Sequence, residues 1–238
     1  MKVASTAALF FISTLAHAEL IQGIEFPDGA KSFADAVTSY SPGSGVTSTY
    51  QTPLKALGIP DYTTNNGLVS LGNQGTLVLR FLDNSLTTSG TNSPDLWVFE
   101  VGTAIEATSV YISQDGVSWI GVGDTNGGTG GIDIDSYIGQ GVVAGEKYSF
   151  VKMVDLLPNT SGSPSAGADI DAVAAISSAA PVCNLINEAP AVYEKSTGLL
   201  TVPLMMADGQ CFEIKLQGTS GLDIDDATVF TKSSLIIK

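Results

Sequence analysis

The chain has 238 residues, ten basic against 24 acidic side chains, a formal charge of −14 and one histidine. Such an acidic surface repels nucleic acid and anionic lipid, and favours divalent cations or basic partners. Hydrophobic residues make up 44% and charged ones only 14%, enough apolar material for a core, so disorder is excluded. With 26 glycines and ten prolines, the composition suits many short strands and turns rather than helices.

Residues 1–18 read as a signal peptide. Lys2 gives the positive start, 3–15 is apolar, and Ala16-His17-Ala18 is a small-x-small cleavage site. The apolar run is too short and wrongly flanked for a membrane span, and no later segment is long or apolar enough. Cleavage after Ala18 removes His17, the only histidine. Ser-His-Asp and Cys-His catalysis and His-ligated zinc are then excluded. The expectation is a secreted protein, extracellular or at the cell surface.

Residues 19–178 read as one β-sandwich domain. Strands are expected over 19–26 and 36–40, followed by loop at 41–45. At 52–58, Thr52, Pro53 and Gly58 mark the start and end of a single helical turn. In 76–82, Leu77, Leu79 and Phe81 share one strand face. In 95–101, Leu96, Val98 and Glu100 oppose Trp97, Phe99 and Val101, so both faces are largely apolar, as in a strand inside a layered fold. Strands at 107–113 and 117–122 flank Asp115-Gly116, a hairpin turn. The glycine-rich stretch 121–131 reads as flexible loop, because no Lys-Ser/Thr or helix follows to make a phosphate cradle. Strands at 148–154 and 170–176 complete seven to nine short ones. The fold class is all-β: an antiparallel jelly-roll β-sandwich.

After the small-residue joint 177–181, residues 182–238 form a smaller β unit, with strands near 191–194, 199–205, 211–216 and 228–237. Cys183 and Cys211 are the only cysteines. In an exported chain such a pair reads as a disulfide, which stabilises a loop of this length by roughly 3–4 kcal/mol.

Five motifs in order carry a resemblance: ALGIPDY (56–62), VSLGNQGTLVLRFLDN (69–84), DLWVFEVG (95–102), VYISQDGVSWIGVG (110–123) and ADIDAVAAI (168–176). Over roughly 33–177 the chain resembles bacterial exported cell-surface domains of the discoidin-like, galactose-binding-like jelly-roll type. The resemblance implies a structural calcium and loops at one end that bind carbohydrate or other surface ligands. It implies no catalytic residues.

Three Asp-Ile-Asp runs stand out, at 133–135, 169–171 and 223–225, the last followed by Asp226. On an ideal strand each sets two carboxylates on one face, where they repel and a cation relieves them. Calcium takes six to eight oxygen ligands. The expected Ca2+ ligands are Asp83, Asn84, Asp95, Asp169 and Asp171, at strand ends that a sandwich can bring to one edge. For Asp133, Asp135 and the Asp223 cluster the expectation is a solvated strand face. Glu100 is expected to pair with Arg80, the only arginine, because a core carboxylate must be paired or protonated. Tyr40, Tyr50, Tyr62 and Tyr137 lie in or beside loops and are the candidate aromatics for stacking on a sugar ring, with Tyr40, Tyr62 and Tyr137 the chosen set. Trp97 and Trp119 sit inside apolar strands and are assigned to the core.

The function expected is a non-catalytic binding module, calcium-stabilised, for a glycan or matrix ligand. Two alternatives stay open: a self-associating structural protein of the cell surface or matrix, and a carboxylate-based glycoside hydrolase.

Overall fold

The computed structural model describes residues 18–65, 67–102, 106–156 and 164–182, together with the backbone of four strands between 191 and 230. The signal peptide expected over residues 1–18 lies outside the described residues but for Ala18.

The chain opens with a hairpin of β1 (Glu19–Ile21) and β2 (Ile24–Phe26). Its turn residues Gln22 and Gly23 both have positive φ (47° and 83°), the two-residue geometry that matches strand twist. One continuous strand was expected here; the turn splits it. The strands that follow are β3 (Ala36–Ser41), β4 (Val69–Ser70), β5 (Thr76–Arg80), β6 (Ser85–Leu86) and β7 (Leu96–Glu100). Next come β8 (Thr108–Ser113), β9 (Ile120–Thr125), β10 (Gly130–Ile132), β11 (Phe150–Asp155), β12 (Asp169–Ala175) and β13 (Ser178–Ala179). The helical turn expected near Pro53 is a 3-10 turn, Pro53–Ala56, and Thr52 makes no side-chain cap. A short helix α1 spans Tyr62–Asn65.

Two antiparallel sheets form the sandwich, one ordered β10-β7-β12-β4 and the other β3-β5-β11-β8-β9. Except from β8 to β9, the chain changes sheet between successive strands of the sandwich, which is how a jelly roll winds. Alternation decides what each strand buries. Leu77 and Leu79, Leu96 and Val98, Val110 and Ile112, Val151 and Met153, and Ile170 and Val173 all fill the space between the sheets. Trp97 and Phe99 point the other way. There Phe26, Phe33 and Phe99 stack with ring centroids 5.0–6.2 Å apart, so the N-terminal hairpin covers the outside of the four-stranded sheet.

One break in the alternation matters for the site. Ile170 pairs with Glu100 while Ala172 pairs with Phe99, leaving Asp171 as the extra residue of a bulge. The bulge keeps Ile170 and Val173 facing inward although they are three apart. Asp169 and Asp171, expected on one face, are thereby re-aimed.

Where β3, β7 and β11 finish and β5 and β12 begin, backbone packs directly on backbone. A Cβ on Gly75 would overlap the Leu71 carbonyl, and one on Gly72 would lie 2.6 Å from the Gly43 oxygen. Gly167 has φ +77°, and a Cβ there would lie 2.5 Å from Gly72 N.

A separate four-stranded sheet, ordered β16-β15-β14-β17, comprises β14 (Ala191–Glu194), β15 (Leu199–Met205), β16 (Cys211–Gln217) and β17 (Thr228–Phe230). It contains the expected meander, with β15 paired to β16 from Leu199↔Gln217 to Met205↔Cys211. The expected Cys183–Cys211 disulfide lies outside the described residues, since only the backbone of Cys211 is among them. No helix among the described residues is long and apolar enough to cross a membrane.

Gly167 and Gly145 both have positive φ, but only Gly167 is crowded. Gly145→Ala is expected to cost about 1 kcal/mol for the left-handed backbone. Gly167→Ala should cost about 1–3 kcal/mol more, from overlap with Gly72. Urea unfolding of the two variants measures that difference.

Candidate functional site

The opposite end of the sandwich, where β7 starts and β12 stops, is organised by three carboxylates. Asp95 immediately precedes β7 and is fully buried. Its Oδ2 accepts the Ile134 N–H at 2.9 Å and its Oδ1 accepts the Ser177 hydroxyl at 2.5 Å. Asp133 caps the 3-10 turn Ile134–Tyr137, accepting the Asp135 N–H at 2.9 Å and the Ser136 hydroxyl at 2.8 Å. Asp135 reaches the loop before β7, accepting the N–H groups of Ser89 at 2.9 Å and Gly90 at 3.1 Å. One oxygen of each carboxylate lies within 4.8 Å of the others. Among the described residues no lysine or arginine is paired with them. Burial pushes the Asp95 carboxyl up from its ordinary range, hydrogen bonds from Ser177, Ser89 and Ile134 oppose this, and the charge of Asp135 adds to it. Such a group chemically suits an oxygen-seeking cation.

Of the five ligands expected from sequence, Asp95 alone belongs to this group. Asp83 is exposed beside Asp35, whose carboxylate accepts the N–H groups of Leu82 at 2.7 Å and Asp83 at 3.4 Å. Asn84 is buried and donates to Ser178 Oγ at 3.3 Å. Asp169 accepts the Ser70 hydroxyl. Asp171 accepts the N–H groups of Asp61 at 3.0 Å and Tyr62 at 3.2 Å, which fixes the start of α1. The five therefore do not gather at one edge: Asp95 stands just before β7 and Asp169 opens β12, and these strands run antiparallel, so the two lie at opposite ends. Asp133 and Asp135, expected on a solvated strand, belong to a 3-10 turn instead. The Asp223 cluster lies outside the described residues.

Glu100 and Asp169 form a second acidic region at the glycine-lined end. Glu100 is 4% exposed; its Oε2 accepts the Gly128 N–H and its Oε1 makes no hydrogen bond of regular geometry. Burial raises its pKa to about 7, opposed by the backbone N–H groups of Gly128 and Asp169 and reinforced by the charges of Glu106 and Asp169. Burial likewise raises Asp169 to about 6, against hydrogen bonds from Ser70 and Ser165. The expected Arg80–Glu100 pair does not form. Arg80 belongs to the five-stranded sheet and lies over the Phe150 ring, 5.1 Å from its centroid, whereas Glu100 sits in the four-stranded one. A carboxyl without a cation answers burial by holding its proton.

The outer face of the five-stranded sheet presents a third feature. Across it run Ser39, Val78, Lys152, Tyr111 and Gly121 in register. Lys152 Nζ lies 4.5 Å from the ring centroids of both Tyr111 and Trp119. The expected strand at 117–122 begins only at Ile120, because Asp115 folds the turn by accepting the N–H groups of Val117 at 2.8 Å and Ser118 at 2.7 Å. Trp119 is therefore half-buried on a solvent-facing sheet rather than in the core. Trp97 does pack, against the N-terminal hairpin. Most of the stretch 121–131, expected as loop, is strand in β9 and β10.

The tyrosines fare differently. Tyr40 packs on the core and donates its hydroxyl to the Ser70 carbonyl at 2.6 Å, with burial raising its pKa to about 12. Tyr137 packs on the core, its hydroxyl close against Gly123. Tyr62 is half-buried in α1, and Tyr50 half-buried in a 3-10 turn. Tyr111 and Lys152 were not singled out from sequence. The signal was present: Val110 and Ile112, and Val151 and Met153, alternate with them and claim the inward positions.

No protein-family model matches the chain, and a search of curated proteins finds no match.

The raised pKa of Glu100 sets a pH dependence. Between its ordinary 4.5 and about 7, the folded chain holds a proton that the unfolded chain has released, so stability falls as pH rises across that window. Asp169, raised from 3.8 to about 6, acts in the same direction. Glu100→Gln should flatten this slope and melt at a higher temperature than the parent at pH 8. Thermal midpoints measured from pH 4 to 8 test it; an unchanged slope would mean that Glu100 ionises normally.

Proposed function

We propose that this chain is an exported, non-catalytic binding module of the discoidin-like, galactose-binding-like jelly-roll type, with calcium at its rim and a carbohydrate or other extracellular surface ligand. The observation that carries the reading is the Asp95–Asp133–Asp135 group. Three like charges within 4.8 Å repel one another, and a divalent ion among them converts that repulsion into attraction. The same carboxylates tie the loop at 89–90 to the turn at 134–137, so a bound ion stiffens the edge loops that meet a ligand.

The hydrolase alternative is less well supported. Its acid would be Glu100 or Asp169, the carboxyls raised to about 7 and about 6. Both are more than nine-tenths buried, and a general acid must come within hydrogen-bond reach of the bond it protonates.

Calcium at one hundred times its dissociation constant stabilises a folded chain by about 2.7 kcal/mol. Millimolar calcium should therefore raise the thermal midpoint by several degrees, a chelator should reverse it, and Asp133→Asn should abolish the shift. A midpoint insensitive to calcium in the parent chain removes the metal from this reading.

A further inference from the structure

The one cationic patch among the described sheet faces lies on the five-stranded sheet, and its neighbours are aromatic. Arg80 and Lys152 stand on adjacent strands, Arg80 directly opposite Phe150 and Lys152 two residues further on. In an antiparallel pair such diagonal neighbours lie about 7–8 Å apart. Neither cation is paired with a carboxylate among the described residues; both instead lie over rings, Arg80 on Phe150 and Lys152 on Tyr111 and Trp119. The Tyr111 ring lies against β9 at Gly121, where even a Cβ would be in ordinary van der Waals contact with it at 3.5 Å. The four-stranded sheet has its outer face covered by the N-terminal hairpin, whereas on this face Tyr111, Trp119 and Lys152 remain half-exposed.

Resting on the binding-module reading, we propose that the Tyr111–Trp119–Lys152 platform, with Arg80 beside it, binds an acidic polysaccharide. Anionic groups of the polymer draw the Lys152 ammonium off the two rings it covers, which frees them for the C–H faces of sugar units, and Arg80 meets further anionic groups. The choice among polyanions follows from charge. The whole chain carries −14, Asp124 is exposed beside Ser109 on the same sheet face, and screening at physiological salt acts over about 8 Å, so the patch meets only one or two anionic groups at a time. Single-stranded nucleic acid is held along a groove of cations that tracks its backbone, and this face has two cations. An acidic polypeptide satisfies the cations but brings no flat ring to stack.

The test measures binding of the purified chain, in chelator, to immobilised polygalacturonate, dextran sulfate, neutral dextran, oligo-dT and poly-glutamate. Chelator keeps the rim carboxylates from bridging through calcium. Polygalacturonate or dextran sulfate should bind, less tightly at higher salt, and the stronger of the two tells carboxylate from sulfate as the anionic group. Trp119→Ala and Lys152→Met should each weaken that binding at least about tenfold, or about 1.4 kcal/mol, with an unchanged melting midpoint. Lys152→Arg should restore most of it, and Leu20→Ala, on the exposed side of the N-terminal hairpin, should change nothing. The proposal is overturned if the acidic polymers do not bind, if both variants bind like the parent, or if oligo-dT or poly-glutamate binds as tightly. Binding to neutral dextran that survives both variants would leave the module reading standing and remove this site. Binding to no polysaccharide, with or without calcium, would remove both.

Discussion

Carboxylates that accept backbone N–H groups from distant segments hold this sandwich in shape. Asp155 takes the N–H groups of Gln74 at 3.1 Å and Ala168 at 2.8 Å, joining the two loops at the glycine-lined end. Asp171 fixes the start of α1, Asp35 fixes the turn after β5, and Asp95, Asp133 and Asp135 fix the far rim. A loop in a β-sandwich has few neighbours for its amides, and an amide buried without a partner costs as much as a lost hydrogen bond. An aspartate carboxylate can satisfy two or three at once. The acidity of the chain is thus partly structural, since many of its acids are turned inward onto the backbone.

That device explains why desolvation, rather than attraction to a cation, dominates the titration of Asp95, Asp155 and Asp171. It also separates them from Asp115, where the hydrogen bonds of an exposed turn hold the carboxyl well below its usual range. Glu100 differs from all of these, because one of its oxygens makes no hydrogen bond of regular geometry.

Strand alternation made much of the architecture legible. The inward runs of Leu77 and Leu79 and of Leu96 and Val98 were readable, as was the turn at Asp115-Gly116. What escaped were departures from alternation. Nothing in Asp169-Ile170-Asp171 marks a bulge, since the extra residue is set by pairing with β7, a contact far away in sequence. Gln22-Gly23 lacks the Asn or Asp that usually announces a two-residue turn. At the site the obstacle was chemical. An Asp-x-Asp spacing reads alike whether its oxygens hold a metal or clamp amides, and only the partner atoms decide. Arg80 and Glu100 were each recognised as charged groups within apolar strands, but their strands went to different sheets.

The glycines stacked at one end carry a consequence for how such a scaffold can change over time. Gly43, Gly72, Gly75 and Gly167 leave no volume for any side chain, so new chemistry cannot be introduced there by substitution without moving the main chain. Change in side-chain chemistry is channelled to the opposite rim and to the uncovered sheet. The tight end serves as the fixed base from which both are held.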